Sequence, residues 1–98
     1  MNIAKTTNGT ELTIALEGRL DTVTAPELET ELRSCLDGVT ALTLDMNGLD
    51  YISSAGLRVL LSAQKVMNRQ GSMKLVRVGR PVMDVLEVTG FTDILTIE

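Results

Sequence analysis

The sequence predicts an α/β domain, a mixed β-sheet opened by a hairpin with helices crossing between its later strands. Three observations carry that expectation. Leu12, Ile14 and Leu16 alternate with Thr13, Ala15 and Glu17, the two-residue period of a strand with one buried face. Leu28, Leu32, Cys35 and Leu36, and later Leu57, Leu60, Leu61 and Met67, recur instead at helical spacing. The two patterns then alternate along the chain, an order that implies a mixed sheet with crossover helices.

Asn8-Gly9 is a two-residue hairpin signal joining a strand near Met1–Thr6 to a second at Glu11–Glu17. Gly18 ends that second strand, and Arg19-Leu20-Asp21 follows as an exposed loop. Thr24-Ala25-Pro26-Glu27 reads as a capping box, with Thr at the N-cap, Pro in the first turn and Glu at N3. The helix it opens runs to about Asp37, with Gly38 as its C-cap. Cys35 shares its apolar face and reads as a small core residue. A central strand at Ala41–Met46 leaves through a polar exit, Asn47–Ile52. A second helix runs from Leu57 to Met67, with Arg58, Lys65 and Arg69 outward, and stops at Gly71. Met73–Val78 is a fourth strand. Gly79-Arg80-Pro81 opens a short third helix that ends at Gly90, and Phe91–Ile97 contains a last short strand.

Composition restricts what such a domain does. Ninety-eight residues make a single domain spanning 1–98, and 44% hydrophobic content supports a core of its own. Aromatic residues are only 2%, so Leu, Val, Ile and Met fill that core. The net charge of -4 argues against nucleic acid or an anionic membrane as partner. A single cysteine makes no internal disulfide, which suits a reducing, cytoplasmic compartment. No apolar run reaches the roughly 18 residues of a membrane span. With no histidine, Ser-His-Asp and Cys-His arrangements are excluded, zinc is improbable, and no phosphate-binding loop of P-loop spacing occurs. Lys65 lies about 16 Å along its helix from Ser54, too far for a Ser-Lys pair. Asp45 and Asp50 read as solvated strand-end acids. The expectation is no catalytic residue, no cofactor and no metal.

What remains is the stretch Ser53-Ser54-Ala55-Gly56-Leu57, where the central strand gives way to a helix N-terminus. Unpaired N–H groups and a positive dipole end gather there. Either Ser53 or Ser54 is simply an N-cap, or one hydroxyl is chemically modified. A serine without a base beside it is better placed as a substrate than as a nucleophile.

Tyr51-Ile52-Ser53-Ser54-Ala55-Gly56-Leu57-Arg58-Val59-Leu60, following Leu42-Thr43-Leu44-Asp45, resembles the signature of STAS domains, closest to the stand-alone anti-sigma-factor antagonists of bacteria. Gly18-Arg19-Leu20-Asp21 matches that family's Gly-x-Leu-Asp turn, and Gly90-Phe91 resembles its usual end to the third helix. The resemblance covers nearly the whole chain. It implies a STAS-like mixed sheet of four to five strands, with an initial hairpin and three or four helices packed on it.

The same resemblance implies partner switching. The antagonist binds an anti-sigma factor that is also a serine kinase, phosphorylation breaks the complex, and a serine phosphatase restores it. The phosphoacceptor then falls on Ser54. Asp21, Tyr51, Ser53, Ala55, Gly56 and Arg58 become partner-binding residues, Asp21 orienting the kinase or its nucleotide or merely forming a turn. Leu49 and Tyr51, with Leu57 unless it belongs to the core, are read as an apolar rim. Ser53 falls where sporulation-type members carry Asp, Ala55 where they carry Ser or Thr, and Arg58 where they carry Gly. These departures bear on which partner is recognised. The chain stops where many relatives have a final helix, and the free protein is expected to be a monomer. The alternative is an unphosphorylated STAS subunit of a transporter or lipid-trafficking complex.

Overall fold

The computed structural model describes residues 1–98. In chain order the elements are β1 (Asn2–Asn8), β2 (Glu11–Leu20), α1 (Ala25–Cys35), β3 (Ala41–Ile52), α2 (Ser54–Gln70), β4 (Ser72–Val76), α3 (Arg80–Val88) and a single 3-10 turn at Phe91–Asp93. The four strands form one sheet in the order β1-β2-β3-β4. β1 pairs antiparallel with β2, whereas β2–β3 and β3–β4 are parallel. The mixed sheet and crossover helices are those the sequence implies.

One face of the sheet carries the core. Leu12, Ile14 and Leu16 of β2, Leu42, Leu44 and Met46 of β3, and Met73 and Leu75 of β4 are all buried. They meet Leu28 and Leu32 of α1, Leu57, Leu60, Ala63 and Met67 of α2, and Val82 and Leu86 of α3 in one cluster. The alternate residues Thr13, Ala15, Thr43, Asp45 and Lys74 stay partly solvated on the other face. Each fully buried leucine contributes roughly 1.5–3 kcal/mol, so the one-sided pattern fixes the register of every strand. Gln70, at the end of α2, donates from Nε2 to Leu36 O at 2.7 Å and Val39 O at 2.6 Å. It thereby ties the end of α2 to the α1–β3 connection, where Leu36 O also accepts from Val39 N–H at 3.0 Å.

Several boundaries differ from the sequence reading, each for a physical reason. The hairpin pairs Asn8 with Glu11, so Gly9 and Thr10 are the central turn residues. Gly9 supplies the positive φ, +64°, that a turn opening on glycine needs. β2 does not end at Gly18 but continues to Leu20, which is fully buried rather than in an exposed loop. β3 likewise runs through Ile52, because long-range pairing with β2 carries residues 47–52 as strand. β4 stops at Val76, where Arg77 turns to φ +55° and pairs with Asp45. The last strand expected at Phe91–Ile97 is instead the 3-10 turn followed by one parallel bridge, Leu75 to Ile97. Only two backbone bonds tie it to β4, Leu75 N–H to Thr96 O and Glu98 N–H to Leu75 O, each 2.9 Å.

Gly71, between α2 and β4, leaves no room for a side chain. A Cβ there would lie 1.8 Å from the Thr40 carbonyl oxygen. Gly71→Ala therefore forces the α2–β4 junction apart and should cost about 2 kcal/mol or more, the scale of overpacking. Urea unfolding measures this, and a wild-type midpoint would contradict the packing described.

Candidate functional site

The site forms where β2 and β3 end side by side. Two irregularities in their pairing, between Ala15 and Glu17 and between Gly18 and Arg19, twist the strand ends and re-aim their side chains. Gly18 accommodates this with φ +108°, a value that L side chains rarely adopt. The final pairs are Arg19 with Tyr51 and Leu20 with Ile52. One hydrogen bond then joins the two exits, Ser53 N–H donating to Leu20 O at 2.9 Å. This bond sets the Asp21 turn beside the start of α2.

Ser53 occupies the N-cap position of α2 with extended backbone, φ -102° and ψ 176°. Its carbonyl accepts the first helical bond, from Leu57 N–H at 2.9 Å. Its hydroxyl makes no capping bond and is buried without a hydrogen-bond partner. Ser54 is the first residue of the helix, one position past the cap, and is exposed. The hydroxyl cap weighed from sequence is thus formed by neither serine. Ala55 is half-buried against the core, and Gly56 and Leu57 are buried.

Gly56 explains how the helix can start so close to the sheet. A Cβ at this position would stand 2.7 Å from Leu20 Cγ and 2.9 Å from Ile52 Cγ1. Leu20 and Ile52 are themselves 0% and 2% exposed, so neither can yield. The first turn of α2 rests directly on the last residues of β2 and β3.

Asp21 is held by a reciprocal set of bonds. Its Oδ1 accepts from the Val23 N–H at 3.0 Å and the Thr24 N–H at 3.1 Å. The Thr24 hydroxyl accepts from the Asp21 N–H at 2.9 Å and donates to Arg19 O at 2.7 Å. Ala25 N–H already bonds Asp21 O at 2.8 Å, a helical spacing. The capping box therefore begins at Asp21, three residues before the one expected at Thr24–Glu27, and Thr24 makes no cap bond of its own. Asp21 wins because its carboxylate reaches two N–H groups at once. The Thr24 N–H, with smaller help from Val23, the Thr24 hydroxyl and Arg19, holds the Asp21 carboxyl below the ordinary carboxylate range against its partial burial.

Around this frame the surface is mixed. The Arg19 guanidinium lies 4.3 Å above the Tyr51 ring, and its Nε is 3.7 Å from Asp21 Oδ2. Tyr51 remains 39% exposed; Leu57, at 5%, faces the core as its helical spacing predicts, and Leu49, at 3%, belongs to the core and not to an apolar rim. Val23 supplies the apolar surface instead, 84% exposed in the turn that Asp21 fixes. Its one sequence signal was an isolated valine in a polar stretch. Arg58 is exposed one helical turn after Ser54, and with Thr22, Pro26 and Ala55 it lines a cleft of about 210 Å³. Asp45 is remote from this group, since Arg77 engages both its oxygens on the open sheet face and holds its pKa low. Burial pushes the Cys35 thiol up, as suits a core residue. No three His, Cys, Asp or Glu side chains gather to hold a metal ion. No helix is long and apolar enough to cross a membrane.

Comparison with known proteins places this geometry. The family model described as STAS domain matches residues 2–98. BtrV of Bordetella bronchiseptica, named as an anti-sigma factor antagonist, is 40% identical over 88 residues, 88% of this chain and 76% of that protein. A crystal structure of an anti-sigma factor antagonist from Mycobacterium paratuberculosis superposes with a TM-score of 0.88 at 21% identity, covering 98% of this chain and 83% of that one. SpoIIAA, a Bacillus cell fate determinant solved in its phosphorylated form, superposes at 0.76 with 15% identity, covering 99% and 91%.

Two outcomes follow from the site's packing. Gly56→Ala should lose about 1–3 kcal/mol through overpacking against Leu20 and Ile52, read as a lower urea midpoint; unchanged stability would contradict the contact. Asp21 and Asp45 both have lowered pKa values in the folded state. Their stabilisation is therefore complete above the unfolded value of about 3.9 and is lost as pH falls through the lower folded values. Asp21→Asn and Asp45→Asn should each flatten the acid limb of a circular-dichroism titration, and an acid limb identical to wild type in both would refute this.

Proposed function

This chain belongs to the STAS domain family, and from that premise we propose that it is an anti-sigma factor antagonist switched by phosphorylation of Ser54. In the unphosphorylated state it binds an anti-sigma factor that is also a serine kinase. Transfer of phosphate to the Ser54 hydroxyl releases that partner, and a serine phosphatase returns the chain to its binding state. The protein acts as a binding module and carries out no turnover of its own.

The observation that carries this reading is the exposure of Ser54 as the first residue of α2, beside a turn ordered by Asp21. A kinase can reach the hydroxyl, and the carboxylate of the adjoining turn, Asp21, is committed through Oδ1 to two backbone N–H groups and through Oδ2 toward Arg19. The names of BtrV and of the superposed structures support the same assignment, and SpoIIAA supports a phosphorylated state in a protein of this fold. Asp21, Tyr51, Ser53, Ala55, Gly56 and Arg58 have different parts in it. Tyr51 and Arg58 present side chains to the partner. Asp21 holds the turn through Oδ1 and keeps Oδ2 toward Arg19 at the surface. Ser53, Ala55 and Gly56 position the acceptor from beneath.

The energetics favour a switch at the interface. A phosphoserine carries about −1.5 to −2 charges at pH 7. At the positive end of α2 that charge is welcome, by roughly 0.3–1 kcal/mol. Buried against a partner without a matching cation, it costs several kcal/mol, and each ~1.4 kcal/mol is tenfold in affinity.

Incubation with the cognate kinase and ATP should add one phosphate, mapped to Ser54 by peptide mass spectrometry. Ser54→Ala should abolish the modification and Ser53→Ala should leave it. Phosphate on Ser53, or persisting in Ser54→Ala, would overturn the assignment. Ser54→Asp should weaken the partner about a hundredfold or more while Ser54→Ala still binds.

A further inference from the structure

The chain has nine lysines and arginines. Six of them, Lys5, Arg19, Arg33, Lys74, Arg77 and Arg80, have a carboxylate at ion-pairing distance. The other three, Arg58, Lys65 and Arg69, have none, and all three stand exposed on α2. At about 100° per residue, Lys65 and Arg69 fall within about 20° of Arg58 on either side, and Ser54 within about 40°. The result is a basic stripe roughly 22 Å long at 1.5 Å per residue, with Ser54 at its head.

The helix does not need these charges where they are. Arg58 lies near the positive end of α2, whose first turn contains no acidic residue, so the dipole opposes it. Only Arg69, in the last turn, is favourably placed. In a molecule with 13 acidic side chains against nine basic ones, pairing is the easy outcome for a surface cation. Three unpaired cations in one line form a field that an outside anion can complete.

We propose that this stripe receives an acidic face of the anti-sigma factor, and that phosphate on Ser54 closes it from its head. The proposal rests on the partner-switching reading and adds the chemistry of the surface that the partner presents. A phosphoserine at 54 stands four residues before Arg58, the favoured order for an anion–cation pair on a helix. It takes Arg58 away from the partner and sets a dianion against the partner's carboxylates. Departure of the acidic partner then follows from like-charge repulsion as well as from bulk. Nucleic acid is a poorer occupant, because the molecule as a whole carries −4.

The test titrates the labelled chain with the purified kinase that phosphorylates Ser54, over a range of salt concentrations. Lys65→Glu with Arg69→Glu should weaken binding at least tenfold at low salt and flatten the dependence of log Kd on log salt. The unfolding midpoint should fall only slightly, since both side chains are exposed and unpaired and only Arg69 gives up a favourable place at the helix end. The neutral pair Lys65→Gln with Arg69→Gln should fall between. Unchanged affinity and salt slope in the double Glu variant, with Ser54→Asp still releasing the kinase, would refute the stripe and leave the phosphoserine switch standing. A wild-type chain that binds no such kinase would refute both. A labelled DNA oligonucleotide bound more tightly than the kinase, and lost in the double variant, would reassign the stripe and overturn the proposal.

Discussion

The start of α2 rests on the ends of β2 and β3 with no side chain between them, and the rest of the site depends on that contact. Gly56 meets Leu20 and Ile52 at distances that exclude a Cβ, and the Ser53 N–H bonds Leu20 O beside it. Leu20 ends β2 and leads into the Asp21 turn; Ile52 ends β3 and leads into the two serines. One packing contact thus registers the turn, the strand ends and the helix N-terminus against each other. It also keeps Ser54 at the surface. With Ser53 spent on the strand connection and Gly56 pressed on the core, the first helical residue has only solvent to face.

A rigid frame of this kind suits a switch that operates by surface charge. The side chains that shape the site are committed to backbone bonds or to the core, Asp21 Oδ1 to two N–H groups and Thr24 to its own turn. The side chains left facing solvent are Tyr51 beneath Arg19, Val23 and the unpaired Arg58. In the proposed switch, a dianion added at Ser54 would meet a favourable dipole within the molecule and an unfavourable surface on its partner. The change in affinity then needs no second conformation, which is consistent with a chain whose core is built from a single continuous cluster.

Much of this was legible in the sequence, where local pattern and tertiary outcome agree. Alternation in residues 11–17 marked the buried face of β2, helical spacing marked α1 and α2, and Gly71 and Gly90 marked helix ends. The pair Ser53-Ser54 stood out because a strand pattern meets a helix pattern there, and only the family resemblance singled out Ser54. The misses have a common cause, the influence of residues distant in sequence. Residues 47–52 look like a polar exit, yet pairing with β2 makes them strand and buries Leu49. Thr24 looks like an N-cap, yet its hydroxyl is taken up by Asp21 N–H and Arg19 O, and Glu27 N–H bonds the Thr24 carbonyl instead. Val23 carried no periodic signal, because its exposure comes from a turn whose bonds are made by other residues.

The central claim is that phosphate at Ser54 acts on the partner and not on the fold. Amide NMR of the chain carrying phosphoserine at position 54, compared with the unmodified chain, tests it most directly. The account requires shift changes confined to the neighbourhood of residues 19–24 and 50–58, with the sheet and α3 undisturbed. Changes spread through β1, β4 and α3 would contradict it and establish a conformational switch in its place.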